Sequence, residues 1–242
     1  VRPLATMLTP VTRRLVYPSR GTRVPAAGTT LHLRRGNVDL RGWVVNPGQP
    51  RALVYYGGNG EGVHDLRGVL AERLPDHTSY LLAYRGYGAS GGRPSERALR
   101  EDALALVDHV AGRHPHHPVD VIGRSLGSGV ATQVAVRRPV GRLVLVTPFD
   151  SLVATAGDLF PRLPMHRLVH DRWDSAAAAP ALAAPVLVLR AGRDDLVRPP
   201  RTDRLLEVLP GSTRVVDFPD ADHASLVDDP AYWTAIEEFL RP

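Results

Sequence analysis

A serine, a histidine and a carboxylate are the side chains here whose types and spacing could carry chemistry. The run Gly123-Arg124-Ser125-Leu126-Gly127 stands directly after the apolar stretch Val119–Ile122 and directly before a helical pattern that begins near Leu126. A serine hydroxyl pushed out at a tight strand-to-helix turn needs flanking glycines, because side chains there would run into the neighbouring strand and helix. The rival reading is a Gly/Ser-rich phosphate-binding turn of the dinucleotide type. Against it, the strand lies well into the sheet, and no GxGxxG with an acid about 20 residues on is found near the first parallel strand. The placement therefore points to Ser125 as a nucleophile, with the Leu126 amide as one donor to a developing oxyanion.

A nucleophilic serine needs a base, and the base an orienting acid, in chain order Ser, Asp/Glu, His for this geometry. The C-terminal part of the chain supplies both. After the apolar stretch Val186–Leu189 comes Ala191-Gly192-Arg193-Asp194-Asp195-Leu196-Val197-Arg198-Pro199, with two carboxylates. After Arg214–Phe218 comes Pro219-Asp220-Ala221-Asp222-His223-Ala224-Ser225-Leu226, with one histidine. Both loops emerge at strand carboxyl ends, where α/β sheets build their sites. His223 is the expected base. Asp195, four residues before Pro199, is the expected acid, and Asp194 its solvated neighbour. The histidines of His114-Pro115-His116-His117 could suggest a metal patch, but they precede a strand expected at the opposite edge of the sheet and read as a solvated loop.

These groups have to be held by something. Thr30–Leu33 and Val38–Val45 alternate around Gly36–Asn37 as an antiparallel pair. Short apolar runs follow at Ala52–Tyr56, Ser79–Ala83, Val119–Ile122, Leu143–Val146, Val186–Leu189 and Arg214–Phe218, as strands buried on both faces would show. Between them, residues 64–73, 96–112, 126–138, 200–208 and 230–240 carry helical spacing. Strands alternating with helices predict an α/β fold with a mostly parallel sheet and helices on both faces. The interval 148–180 has no convincing strand and reads as a small cap over a site or, equally, as an ordinary pair of helices with no role in substrate choice.

Composition excludes other classes. The 242 residues contain no cysteine, which removes disulfides, thiolate metal sites and cysteine nucleophiles. No apolar run is long enough to span a bilayer. The net charge of +5 is not that of a nucleic-acid binder. Seven arginines and no acid lie in residues 1–38, giving +7, while the other 23 arginines face 25 acids and leave the body at −2. A basic reading face is absent from the body. Leu4, Met7, Leu8, Val11 and Leu15 have amphipathic spacing, broken by Pro10. They read as a surface helix packed on the domain, with a weak peripheral membrane contact through residues 1–38 as the rival. The expected location is cytoplasmic, with membrane association as the alternative.

Across residues 29–242 the strand series, the elbow, the Asp loop and the His loop resemble the α/β-hydrolase superfamily. Two runs, Tyr84-Arg85-Gly86-Tyr87-Gly88-Ala89-Ser90-Gly91-Gly92-Arg93-Pro94-Ser95-Glu96 and Thr147-Pro148-Phe149-Asp150-Ser151-Leu152, are similar to a narrower branch, the small-capped Bem46-like and serine aminopeptidase-like hydrolases. Ala83 stands where that branch usually has Asp. The resemblance implies an α/β-hydrolase fold with a mostly parallel sheet of about eight strands, a basic segment 1–28, and a domain 29–242 with its cap at 148–180. It also implies an ion pair between Arg85 and Asp102. The second oxyanion donor is carried onto Asn59, in a stretch matching the family's His-Gly-Asn-Ala with Gly57 at the His position. Arg124 is expected to face solvent. The implied activity is metal-free and cofactor-free hydrolysis of an ester, thioester or related acyl bond in a small-molecule substrate. The rivals are an aminopeptidase-like or acyl-transfer enzyme with the same residues, and a non-catalytic membrane-tethered or partner-binding hydrolase fold.

Overall fold

Eight short stretches of extended backbone line up in a single sheet, seen in a computed structural model that describes Arg13 and residues 16–241. The strands are β1 (Leu31–Arg35), β2 (Val38–Val45), β3 (Arg51–Tyr56), β4 (His77–Leu82), β5 (Asp120–Arg124), β6 (Leu143–Val146), β7 (Val186–Ala191) and β8 (Arg214–Phe218), in spatial order β1-β2-β4-β3-β5-β6-β7-β8. The β1–β2 and β2–β4 pairs are antiparallel, and every pair from β4 to β8 is parallel. β4, β6 and nearly all of β3 and β5 are buried, which is why β6 and β3 after Arg51 read as unbroken apolar runs rather than as alternation, while β4 takes His77, Thr78 and Ser79 into the interior.

Helices cover both faces: α1 (Arg67–Arg73, preceded by a 3₁₀ turn at Val63–Leu66), α2 (Glu96–Ala111), α3 (Leu126–Ala135), α7 (Pro199–Leu206) and α8 (Pro230–Leu240). In α2, Ser95 caps the first turn by accepting from the Ala98 amide, and Leu99, Ala103, Leu106, Val107 and Val110 form the buried stripe. Every residue of α3 is buried, so the helix that starts at Ser125 is fixed on all sides. It ends at Ala135, short of the expected Arg138. Among the described residues no helix is long and apolar enough to cross a membrane.

The interval 148–180 contains three short helices, α4 (Leu152–Leu159), α5 (Met165–Leu168) and α6 (Ser175–Ala178), and no named strand. The amphipathic residues Leu4, Met7, Leu8, Val11 and Leu15 lie outside the described residues. Just beyond them the chain is part of the body. Tyr17 is buried, its hydroxyl accepts from the indole of the fully buried Trp173 at 3.0 Å, and the Thr22 hydroxyl accepts from the Gly88 amide at 3.1 Å.

One expectation about topology is corrected. The His114–His117 turn leads into β5, a central strand, and lies at the amino end of the sheet rather than at its far edge. The His114 ring faces the Tyr80 hydroxyl at 3.0 Å, and His116 and His117 are exposed.

Candidate active site

Strand register brings the loops together. Tyr56 pairs with Gly123, so the residues that follow Tyr56 run alongside the turn that holds Ser125. Ala191 pairs with Phe218, so the Asp and His loops leave neighbouring strands at one level. Gly192 lets the two loops close, since a Cβ there would stand 2.5 Å from the Pro219 carbonyl oxygen. They are zipped by Gly192 N–H to the Phe218 carbonyl and Arg193 N–H to the Ala221 carbonyl, both 2.9 Å, and by an Arg193–Asp220 ion pair.

The turn at Ser125 is strained. Its φ of 51° and ψ of −117° lie outside the ordinary regions for a side-chain-bearing residue, and strain of this kind persists only where the surroundings enforce it. Here the Ser125 amide donates to the Val146 carbonyl at 2.9 Å, and its carbonyl accepts from the Ser128 amide and hydroxyl at 2.8 and 2.6 Å. The two flanking glycines are required by contact: a Cβ on Gly127 would lie 1.9 Å from the Tyr56 carbonyl oxygen, and one on Gly123 2.3 Å from that of Gly127.

The result is a hydrogen-bonded chain of three side chains. Ser125 Oγ is 3.1 Å from His223 Nε2, and His223 Nδ1 is 2.7 Å from an oxygen of Asp194. The acid chosen from the sequence is therefore corrected: the carboxylate on His223 is Asp194, and Asp195 is exposed. Local geometry explains the choice. Asp194 Oδ1 accepts from the Leu196 and Val197 amides at 3.0 and 2.7 Å, a turn that aims Oδ2 at the imidazole and leaves the side chain 2% exposed. The spacing of Asp195 from Pro199 carried no such information.

His223 is held from its own loop and from the serine turn. The Asp222 carboxylate accepts from the Ser225 and Ala224 amides, both at 2.8 Å, and these bonds, that from Ser225 foremost, hold it below the usual carboxylate range. From the serine turn, Arg124 Nη2 donates to the His223 backbone carbonyl at 3.2 Å. Arg124 does not face solvent as expected. Burial works against its charge, yet Glu61, 3.6 Å away, raises the guanidinium above its usual range. Glu61 in turn accepts from the Tyr55 hydroxyl at 2.8 Å and the Gly58 amide at 2.5 Å. Sequence reasoning missed this link, which joins the loop after β3 to the histidine loop through one arginine.

Asn59 and Leu126, the two residues expected to donate amides, line the same cavity as Ser125, and neither amide donates to another protein group among the described residues. Tyr87 donates to the Asn59 side-chain oxygen at 3.2 Å and Tyr84 to the Gly57 carbonyl at 3.0 Å. Both tyrosines belong to the glycine-rich loop after β4, itself anchored by a two-pronged pair between Arg85 and Asp102 at 2.5 and 2.8 Å. Gly57 is not a collapsed position. A Cβ there would lie 2.6 Å from Val63 Cγ1, so Val63 occupies the space a side chain at 57 would need.

The cavity beside Ser125 has a volume of about 130 Å³. Its wall is mostly apolar and comes largely from the 148–180 interval, with Phe149, Leu152, Ala156, Met165 and Val169, joined by Val16 and Val197. Chemically, the arrangement can take a proton from Ser125 Oγ onto His223 Nε2 while Asp194 holds the other ring nitrogen. Among the described residues, no group of three His, Asp or Glu side chains is placed to hold a metal ion.

We expect Arg124→Gln to lower kcat by about tenfold with little change in KM, because the histidine loop and the Gly58–Asn59 loop lose their common anchor and small misplacements are costly in rate. Arg124→Lys, which keeps a cation near Glu61, should recover part of the loss. Steady-state kinetics on a soluble ester checks both.

Comparison with known proteins agrees with this architecture. A family model described as serine aminopeptidase, S33, matches residues 64–170. An uncharacterized protein of Mycobacterium tuberculosis is 36% identical over 94% of this chain and 86% of its own length. The bem46 protein of Schizosaccharomyces pombe is 28% identical over 73% of this chain and 65% of its own. Among solved structures, a hydrolase from Pseudomonas aeruginosa superposes with a TM-score of 0.69 at 21% identity, covering 89% of this chain and 100% of that one, a likeness of fold. With its eight-stranded sheet and these relatives, the chain belongs to the α/β-hydrolase superfamily, in the Bem46-like and serine aminopeptidase-like branch.

Proposed function

We propose that this hydrolase is a serine esterase or thioesterase that acts on a substrate with an apolar acyl group. The observation that carries the reading is the Ser125–His223–Asp194 hydrogen-bonded chain set in the wall of an apolar cavity. Ser125 Oγ attacks the acyl carbon as its proton passes to His223 Nε2. The Asn59 and Leu126 amides stabilise the oxygen that becomes negative, and His223 then delivers the proton to the departing alcohol or thiol. Water, deprotonated by the same imidazole, attacks the acyl-enzyme and releases the carboxylic acid and free Ser125. Asp194 accepts from Nδ1–H and so fixes the ring in the tautomer that leaves Nε2 free for the serine proton.

An aminopeptidase needs an acidic group for the substrate's α-ammonium. Among the described residues no carboxylate lines the cavity, which favours esters over aminoacyl amides. A panel of p-nitrophenyl esters and aminoacyl anilides tests this. Hydrolysis should rise from acetate to butyrate by roughly tenfold in kcat/KM, the effect of burying two methylenes at about 0.8 kcal/mol each. Preference for the anilides, or a fall from acetate to butyrate, would contradict the reading.

A further inference from the structure

Large apolar side chains that stay in water are few among the described residues, and most of them fall in one region. Of the six exposed ones among the described residues, three, Leu159, Phe160 and Leu196, line the Ser125 cavity, and a fourth, Leu163, stands three residues from Phe160 in the same turn. Phe160 is 48% and Leu163 52% exposed. Because Leu159, Phe160 and Leu196 are both exposed and part of the cavity lining, the apolar wall of the cavity continues onto the surface. The turn Phe160-Pro161-Arg162-Leu163-Pro164 that carries the lip is built rather than loose. Its two prolines fix φ, and three backbone hydrogen bonds, Phe160 to Ala156, Leu163 to Phe160 and Met165 to Leu163, hold it between α4 and α5.

The charge carried by the α4–α5 turn itself is basic. From residue 159 to 170 the chain carries Arg162 and Arg167 and no acid, both exposed and, with the exposed Arg198, without a carboxylate in salt-bridge range among the described residues. The nearby Asp150 and Asp158 share one cation, Arg201, at 3.2 and 2.7 Å, and so keep one net negative charge between them, and Asp195 is an exposed carboxylate next to Leu196. An apolar edge flanked by unpaired arginines matches the boundary between acyl chains and anionic headgroups.

We propose that the α4–α5 turn, together with Leu196, docks the cavity mouth on an anionic lipid surface, from which an acyl lipid enters the site. Leu163 and Phe160 enter the headgroup–acyl boundary, and Arg162 and Arg167 lie against the phosphates. The proposed function bears on this only in what the docking serves, since binding to the surface needs no chemistry at Ser125.

Sedimentation of the full chain with two vesicle types tests it: phosphatidylcholine alone, and equal parts phosphatidylcholine and phosphatidylglycerol. The wild type should partition to the mixed vesicles far more than to the neutral ones, less so at high salt. Leu163→Asp and Arg162→Glu should each lower that partition by roughly tenfold or more, while kcat/KM on a soluble short ester stays unchanged, because neither residue lines the cavity. Ser125→Ala should bind as the wild type does, so failure of the hydrolase reading and failure of the docking surface are separately visible. If the wild type ignores anionic vesicles, or both lip variants bind them fully, the proposal is overturned, and in the second case binding belongs to another part of the chain such as residues 1–38. A dimeric wild type that Leu163→Asp turns into a monomer would overturn it too, by making the lip a contact between copies.

Discussion

Asp194→Asn should cost on the order of 10⁴ in kcat, while Asp195→Asn should change it less than about twofold. The two carboxylates are adjacent in sequence, so the contrast isolates geometry. Oδ1 of Asp194 sits under the Leu196 and Val197 amides, two donors that an asparagine can satisfy only with its carbonyl oxygen. The amide NH₂ would then occupy the place of Oδ2, 2.7 Å from His223 Nδ1, and donate to it. That forces the imidazole proton onto Nε2, the nitrogen that has to take the proton of Ser125. The fold should survive, because the substitution is isosteric and keeps the turn. Kinetics of both variants on one soluble ester, with circular dichroism as a folding control, read the result. The reverse ranking would return the acid to Asp195.

Ser125→Ala and His223→Ala should each lower kcat by about 10⁶, and the double variant should be little worse than either, as for groups that act as one unit. A residual acceleration of roughly 10³–10⁴ over water should remain from the Asn59 and Leu126 amides and from the cavity. Alanine at 125 keeps the same strained turn, since the Val146 and Ser128 hydrogen bonds are made by backbone atoms and by Ser128 itself. Independent, additive losses in the double variant would mean that the hydroxyl and the imidazole do not work on the same proton.

Much of this was readable from the chain, for physical reasons that can be named. The elbow was readable because Gly123 and Gly127 are demanded by backbone atoms of neighbouring elements, and that demand leaves a pattern in the sequence. His223 was readable because the order of strands and loops leaves one histidine at the right end of the sheet. The choice between Asp194 and Asp195 was not readable from the distance to Pro199. It rests on which carboxylate accepts the amides two and three residues on, an Asx-type turn made by Asp194. Arg124 was misread because its partner Glu61 lies in another loop, and only the β3–β5 register brings the two together. Gly57 stands in the sequence as a missing side chain, whereas in the fold Val63 fills its space. The His114 turn was placed wrongly because spatial strand order, unlike strand number, is not written in apolar periodicity.

The central claim is that Ser125 is a nucleophile activated by His223. Labelling by a fluorophosphonate probe tests it most directly, because the probe reports attack by the serine oxygen whatever the natural substrate is. Wild type should be labelled once per chain at Ser125, Asp194→Asn far more slowly, and Ser125→Ala not at all. Equal labelling of wild type and Ser125→Ala, or no labelling of a folded wild type, would contradict the account.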